Sequence, residues 1–344
     1  MRLLLYARAA SIVLSQPVVT TVTGQAATDV NQYLHKVGLD DGQIANAAAG
    51  QPIVKLLPSK SDRDVVVLGV IGVHVSANDY LKHALDPGRL IGGNEGRFHI
   101  IADPATPADV RDVVFDSSEY RDLKDCKRGD CNFKLPASAM KAFADGVNWS
   151  APDAKNQADA RLQSGMLRLI NDYRSRGDDA MLTYDDQAGM RSSEAFLALL
   201  GQSSDLYEYT PQFQKYLATY PANRPAGTRD ILYWANGRMP HLRPTITLDH
   251  VVVYPSSPGL TLIGRKQVYA SHYFDGAFEW LAVASAGPQK ADAPIYLITV
   301  RRFRFDNLPG GVMNVRGRVR DGVVQATRSG LERERSSAER SARL

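Results

Sequence analysis

The chain has 344 residues, 44% of them hydrophobic and 23% charged, which is the balance of a folded globular protein and not of a disordered, collagen-like or disulfide-dense one. Its longest apolar stretch, near Val65–Val75, is roughly half of what a membrane-spanning helix needs, which excludes a polytopic membrane protein. The net charge is +4; eight arginines (Arg316, Arg318, Arg320, Arg328, Arg333, Arg335, Arg340, Arg343) against four acids between Val312 and Leu344 account for all of it.

In chain order, residues 1–27 have the outline of a signal peptide. Arg2 gives a positive start, an apolar middle runs to Val22, and small residues precede a cleavage point after Ala26 or Ala27. Arg8 interrupts the apolar part. Residues 28–60 are Ala-, Gln- and Asn-rich and read as a linker or short helical arm. Residues 61–330 read as a single α+β domain with a helical insertion at about 137–221. Val65–Val75 is β-branched and predicts a buried strand. Ser76 or Asn78 then caps a short helix over Asp79–Leu85, stopped by Pro87-Gly88. The Gly-rich stretch 86–96 lacks the Lys-Ser/Thr of a phosphate cradle and reads as a turn. Arg97–Ile101 and Val110–Phe115 are strand candidates.

Cys126 and Cys131 are the only cysteines. A disulfide between them would close a six-residue loop turned by Gly129 and would persist outside the cytosol. A two-thiol metal site is the alternative, but no third cysteine exists and no histidine lies nearby in sequence. Three helices follow. The first starts near Asp153, carries Ala158, Leu162, Met166, Leu169 or Ile170 and Tyr173 on one face, and stops at Gly177. The second covers Ser192 or Ser193 to Leu200, and the third starts at Thr210-Pro211.

From Ile231 the period becomes two. Thr245–Tyr254 places His250 with Ile246, Leu248, Val252 and Tyr254. A turn at Pro255–Gly259 leads to a strand Arg265–Asp275, interrupted at Gly276 and continued to Val283. That strand puts His272 on the apolar face with Val268, Ala270 and Phe274. Ile295–Phe305 is the next strand. Small and β-branched residues from Val312 to Gly330 mark a C-terminal helix, leaving 331–344 as a basic, frayed tail.

The order of elements is α+β: an antiparallel curved sheet packed on a long C-terminal helix, with an inserted helical segment. It resembles the helix-grip (START-like, or SRPBCC) architecture, which implies an apolar cavity between sheet and helix. The strings Asp125-Cys126…Cys131…Lys134-Leu135-Pro136 and Gln267-Val268-Tyr269-Ala270-Ser271-His272-Tyr273-Phe274-Asp275 resemble an uncharacterised family of exported bacterial proteins. That resemblance implies a periplasmic or secreted location and no particular activity.

The candidate site residues are His250 and His272, both as catalytic acid–base groups and as ligand contacts, with Phe274, Tyr233, Trp234, Tyr296 and Arg302 as further ligand contacts. Pairing through a turn at 255–259 would set His250 opposite Val268 and leave the two imidazoles about 13 Å apart, too far to share zinc. No metal and no cofactor are expected, and no nucleophile elbow is present. The first expectation is an exported protein holding an apolar or amphipathic small molecule such as a lipid. The second is an enzyme of the same fold using a pocket histidine. The third is an envelope protein that meets an anionic membrane surface through its basic C-terminus. Nucleic acid is not an expected partner, because acids are interspersed and no aromatic residue interleaves the arginines.

Overall fold

The computed structural model describes residues 30–86, 88–89, 96–187, 189–237, 243–285, 294–307 and 315–342. The segment 1–27, read above as a signal peptide, most of the Gly-rich stretch 86–96, read above as a turn, and Arg343 lie outside them. The elements begin with α1 (Val30–Lys36), α2 (Asp41–Ala48), β1 (Ile53–Leu56), β2 (Asp64–Val73), α3 (Ala77–Ala84) and β3 (Arg97–Ile100). Helices α4 (Pro107–Val110), α5 (Tyr120–Lys124), α6 (Ala137–Gly146) and α7 (Ala154–Arg176) follow. Next come the short hairpin β4 (Thr183–Tyr184) and β5 (Met190–Arg191), then α8 (Ser192–Gly201), α9 (Ser204–Tyr209) and α10 (Pro211–Thr219). Strands β6 (Arg229–Gly237), β7 (Thr245–Ser257), β8 (Leu260–Ala270), β9 (Phe274–Ser285) and β10 (Ile295–Phe305) lead to α11 (Val315–Ser341).

Eight strands form one antiparallel sheet in the order β1-β2-β10-β9-β8-β7-β6-β3. Helices cover both of its faces. All ten residues of β2 are buried, which explains why that strand reads as a continuous β-branched run without alternation. Its residues Val65, Val67, Ile71 and Val73 pack beneath α11 with Val323, Leu331 and Ala338. Val66, Leu68 and Val70 belong to the larger core on the other face, with α1, α2 and the inserted helices. Two glycines let helices approach β2 closely. A Cβ on Gly69 would stand 2.8 Å from Thr327 Cγ2 on α11, and one on Gly72 would stand 2.7 Å from the Ala47 carbonyl oxygen on α2.

Long α7 follows its sequence pattern. Ala158, Leu162, Met166, Leu169, Ile170 and Tyr173 are its buried residues, and Gly177 ends it with a φ of 58°. The helical segment 137–219 lies against the face of the sheet opposite α11, through α8 on β9 and α10 on β7.

Of the two readings of residues 28–60, the described part from Val30 takes the helical one, in α1 and α2; Leu34 and Ala47 are fully buried, and β1 pairs with β2 from Ile53↔Val70 to Leu56↔Val67. Several other expectations are corrected. Val110–Phe115 is no strand. Thr106 and Asp109 form a capping box around Pro107, so the chain enters a helical turn there, and the valines pack as a loop. The expected strand Arg265–Val283 is two strands, β8 and β9, reversed at Ser271–Tyr273. Tyr273 adopts a φ of 63° at that reversal. β7 runs on to Ser257 and β8 starts already at Leu260, with a register shift between Pro255 and Ser257, so His250 pairs with Lys266 instead of Val268. Residues 331–341 are not frayed. They continue α11, with Leu331 and Ala338 buried, and Arg328 and Arg335 donate to the carbonyls of Pro52 and Gly50.

Candidate functional site

The structure does not gather the predicted site residues into one place. Tyr233 lies fully buried on the α11 face, its ring 5.3 Å beneath the Arg265 guanidinium. Phe274 lies on that face too, packed on Phe305 and grouped with Val323 of α11. His250, Trp234, Tyr296 and Arg302 belong to the opposite face. Trp234 donates its indole N–H to the Asp109 carbonyl at 2.7 Å, Tyr296 packs in the core, and Arg302 donates to Ser203 Oγ at 2.8 Å. The arginines beside it on β10 are internally paired: Arg301 with Glu279 and Arg304 with Asp64 through two hydrogen bonds. His272 sits in the β8–β9 turn. The two imidazoles share no partner and neither faces α11.

Alternation along β7 and β8 sends His250 and Lys266 to the same face, where α7 and α10 cover them. The His250 Nε2–H donates to Asp230 Oδ1 at 2.9 Å, and Nδ1 accepts from the Tyr173 hydroxyl at 3.0 Å. A neutral ring in that tautomer satisfies both partners. Burial holds its pKa below the usual histidine value, against the attraction of Asp230. Asp230 also accepts from Tyr216 and pairs with Arg224. These bonds outweigh the burial that would raise its carboxyl and hold it below its ordinary value. Next to this triad Lys266, with a fully buried side chain, pairs with Asp178 and lies 3.9 Å over the Phe196 ring. Burial pulls Lys266 down to about 8 despite Asp178, and burial raises Asp178. Sequence reasoning found His250 but missed Tyr173, Asp230, Asp178 and Lys266. A lysine in phase with Gly264 and Val268 was the available signal.

The two distinctive sequence strings meet in a second buried network. The Ser271 carbonyl accepts from the Lys134 backbone N–H. Lys134 Nζ contacts Asp275 at 2.9 Å, Asp186 at 3.2 Å and Asp306 at 3.5 Å. Burial would lower this ammonium, but the three carboxylates outweigh it and raise it. The Nδ1–H of His272 donates to the Asn132 carbonyl at 2.7 Å, and its Nε2 lies 2.6 Å from Glu119 Oε1. Cys126 and Cys131 form a disulfide, and Asn132 follows it directly. The cysteine loop therefore positions a ring partner of His272. Lys134, His272 and Asp275 of the two strings are thus all engaged in buried contacts. Among the described residues, no three His, Cys, Asp or Glu side chains are grouped to hold a metal ion.

A recess with room for a ligand lies elsewhere, on the α11 face. A cleft of about 780 Å³ opens between α3, α11 and strands β8 and β9. Its apolar surface comes from Tyr80 and Ala84 of α3, Ile263 of β8, Leu281 of β9 and Ala338 of α11. Arg89, Arg333 and Arg340 stand on its rim, with Glu332 and Glu334. Tyr80 donates its hydroxyl to Glu334 Oε2 at 3.4 Å, joining α3 to α11. Beside the apolar strip the sheet carries a polar ladder, Arg301 with Glu279 and Arg265 with Asp249. None of the predicted ligand contacts lines this cleft.

Comparison with family models, with curated proteins and with solved structures finds no match. Among the described residues no helix is long and apolar enough to cross a membrane.

Proposed function

We propose that this is an exported protein that binds an amphipathic small molecule in the cleft between α11, α3 and the sheet. The observation that carries the reading is the cleft itself. Its volume of about 780 Å³ falls within the roughly 300–1,000 Å³ of small-molecule sites. An apolar strip bordered by charged side chains suits a ligand with one greasy and one polar part. The outline of residues 1–27 and the disulfide both favour export, since the Cys126–Cys131 bond is retained in an oxidising compartment. The test is solvent extraction of the purified protein followed by mass spectrometry. The expected result is an amphiphile in near-stoichiometric amount, or uptake of a fluorescent amphiphile by emptied protein. A protein that carries none and takes up none contradicts the reading.

A second reading rests on the Asp230–His250–Tyr173 arrangement. A carboxylate that fixes one ring nitrogen while a hydroxyl occupies the other is a proton-transfer geometry. His250 and Tyr173 are almost fully buried, so this enzyme reading requires substrate to enter past Tyr216 and Tyr220. Loss of an activity in His250→Gln, with folding retained, supports it. The membrane-surface reading is weakened because Arg316, Arg328 and Arg335 make contacts within the protein.

A further inference from the structure

We propose that Lys266 and Asp178 of the folded chain condense with each other, forming an amide between Lys266 Nζ and Asp178 Cγ that ties the inserted helices to the sheet. The site lies under Phe196 of α8, on the face of the sheet opposite the cleft, and does not depend on what the cleft binds. Both partners stand on rigid parts. Lys266 lies in β8, paired with His250 of β7 and with Phe278 of β9. Asp178 lies in the 3-10 turn Gly177–Ala180 that follows α7. A Cβ on Gly177 would stand 1.7 Å from the Tyr220 carbonyl oxygen, so that turn is clamped against the end of α10. Lys266 Nζ touches Asp178 Oδ1. The lysine side chain is wholly buried, with the Phe196 and Tyr173 rings 3.9 and 5.5 Å from its nitrogen. An amine and a carboxyl held like this have already lost the freedom that a bimolecular encounter would have to remove.

The bond relieves two features of the unreacted pair. Asp178 Oδ2 is buried and has no hydrogen-bond partner among the described residues, a costly state for a carboxyl oxygen. That oxygen is the atom that leaves. Two opposite charges held out of water also carry a desolvation penalty that an amide does not. Burial brings Lys266 down to about 8 and raises Asp178, which favours the free amine and the protonated carboxyl that react. The amine lone pair attacks Cγ, the Cγ–Oδ2 bond breaks, and the hydroxyl departs with one amine hydrogen as water. An amine plus a carboxylic acid holds as many protons as an ammonium plus a carboxylate, so no external acid, base or oxidant enters the balance. Exclusion of water protects the amide from hydrolysis. Until the bond forms, the pair titrates and is desolvated as a buried ion pair.

The test is mass spectrometry of the whole purified protein, denatured and with its disulfide reduced, after increasing times in the folded state at mildly alkaline pH. The expected result is the loss of one water per chain in the folded protein and none in the urea-unfolded chain. Trypsin should then give one joined peptide, 177–191 linked to 266–290, uncut after Lys266 and with the link at Asp178. The joined peptide is read on the unaltered protein, so the outcome does not depend on any variant folding. Lys266→Met should lose both signatures, and Asp178→Asn should form the same amide with loss of ammonia in place of water. An unchanged mass with separate peptides overturns the inference. So does loss of water without the joined peptide, as an aspartyl succinimide would give, or a link at Asp179, or water loss that persists in Lys266→Met.

Discussion

At the scale of single residues, the chain buries ionisable groups on a scale that makes stability depend on pH in calculable directions. His250 is neutral in the folded protein and its pKa is lowered by burial. Between that folded value and the unfolded value of about 6.5, the unfolded chain binds more protons. Stability should therefore fall as pH is lowered through that window. Gln at position 250 can donate to Asp230 and accept from Tyr173 without titrating. The His250→Gln variant should lose this part of the slope, measured by urea unfolding from pH 8 to 5. Lys266 works in the alkaline range. Its folded value of about 8 lies below the unfolded 10.5, so between these the unfolded state again binds more protons. Its contribution should rise with pH across that interval. At neutral pH the Lys266–Asp178 pair is dominated by desolvation, and Lys266→Met combined with Asp178→Leu should be no less stable than the parent. Tyr173→Phe has the opposite outcome. It leaves His250 Nδ1 buried without its donor and should lower unfolding free energy by about 1–3 kcal/mol.

At the scale of elements, the approach of helices to β2 decides what can be substituted. Ala at Gly69 would press on Thr327 and Leu331 of α11, an overpacking that should cost about 1–3 kcal/mol. Gly165 on α7 has nothing within 4 Å of where its Cβ would stand. There Gly165→Ala should stabilise by about 0.5–1 kcal/mol through helix propensity alone. Both are read from thermal unfolding midpoints. The disulfide bears on the same scale. Reducing Cys126–Cys131 releases a loop with sequence separation 5 and should cost about 2 kcal/mol by the chain-entropy relation. A midpoint indifferent to reductant would contradict that.

The elements that sequence reasoning located well were those whose period survives intact. Ile295–Phe305 and the face from Ala158 to Tyr173 appear in the structure with the residues expected. It failed where a turn carries no glycine or proline. Ser271-His272-Tyr273 offers neither, and Tyr273 takes the left-handed conformation unannounced. One unmarked reversal moved His272 from a strand face into a turn and took it away from His250. The partners of both histidines lie 20 to 153 positions away in sequence. Strand alternation alone does not report such distances.

For the whole molecule, the expectation of a curved antiparallel sheet with a long terminal helix holds, and the helical insertion occupies the face opposite that helix. The sheet thus has two unlike surfaces. One is closed by the inserted helices over the His250 and Lys266 groups. The other carries α3 and α11 with a cleft between them, and the amphiphile reading belongs to that second surface. Its floor was not legible because Ile263 and Leu281 look like ordinary alternating core residues. Only the spacing of α3 from α11 leaves them facing a recess. The most direct check is methyl NMR of the protein titrated with decanoate. Shifts concentrated at Ile263, Leu281 and Ala84, saturating at one ligand per chain, are the expected result. Saturable shifts centred on other methyls, or no shift at all, would contradict the assignment of the cleft as the binding site.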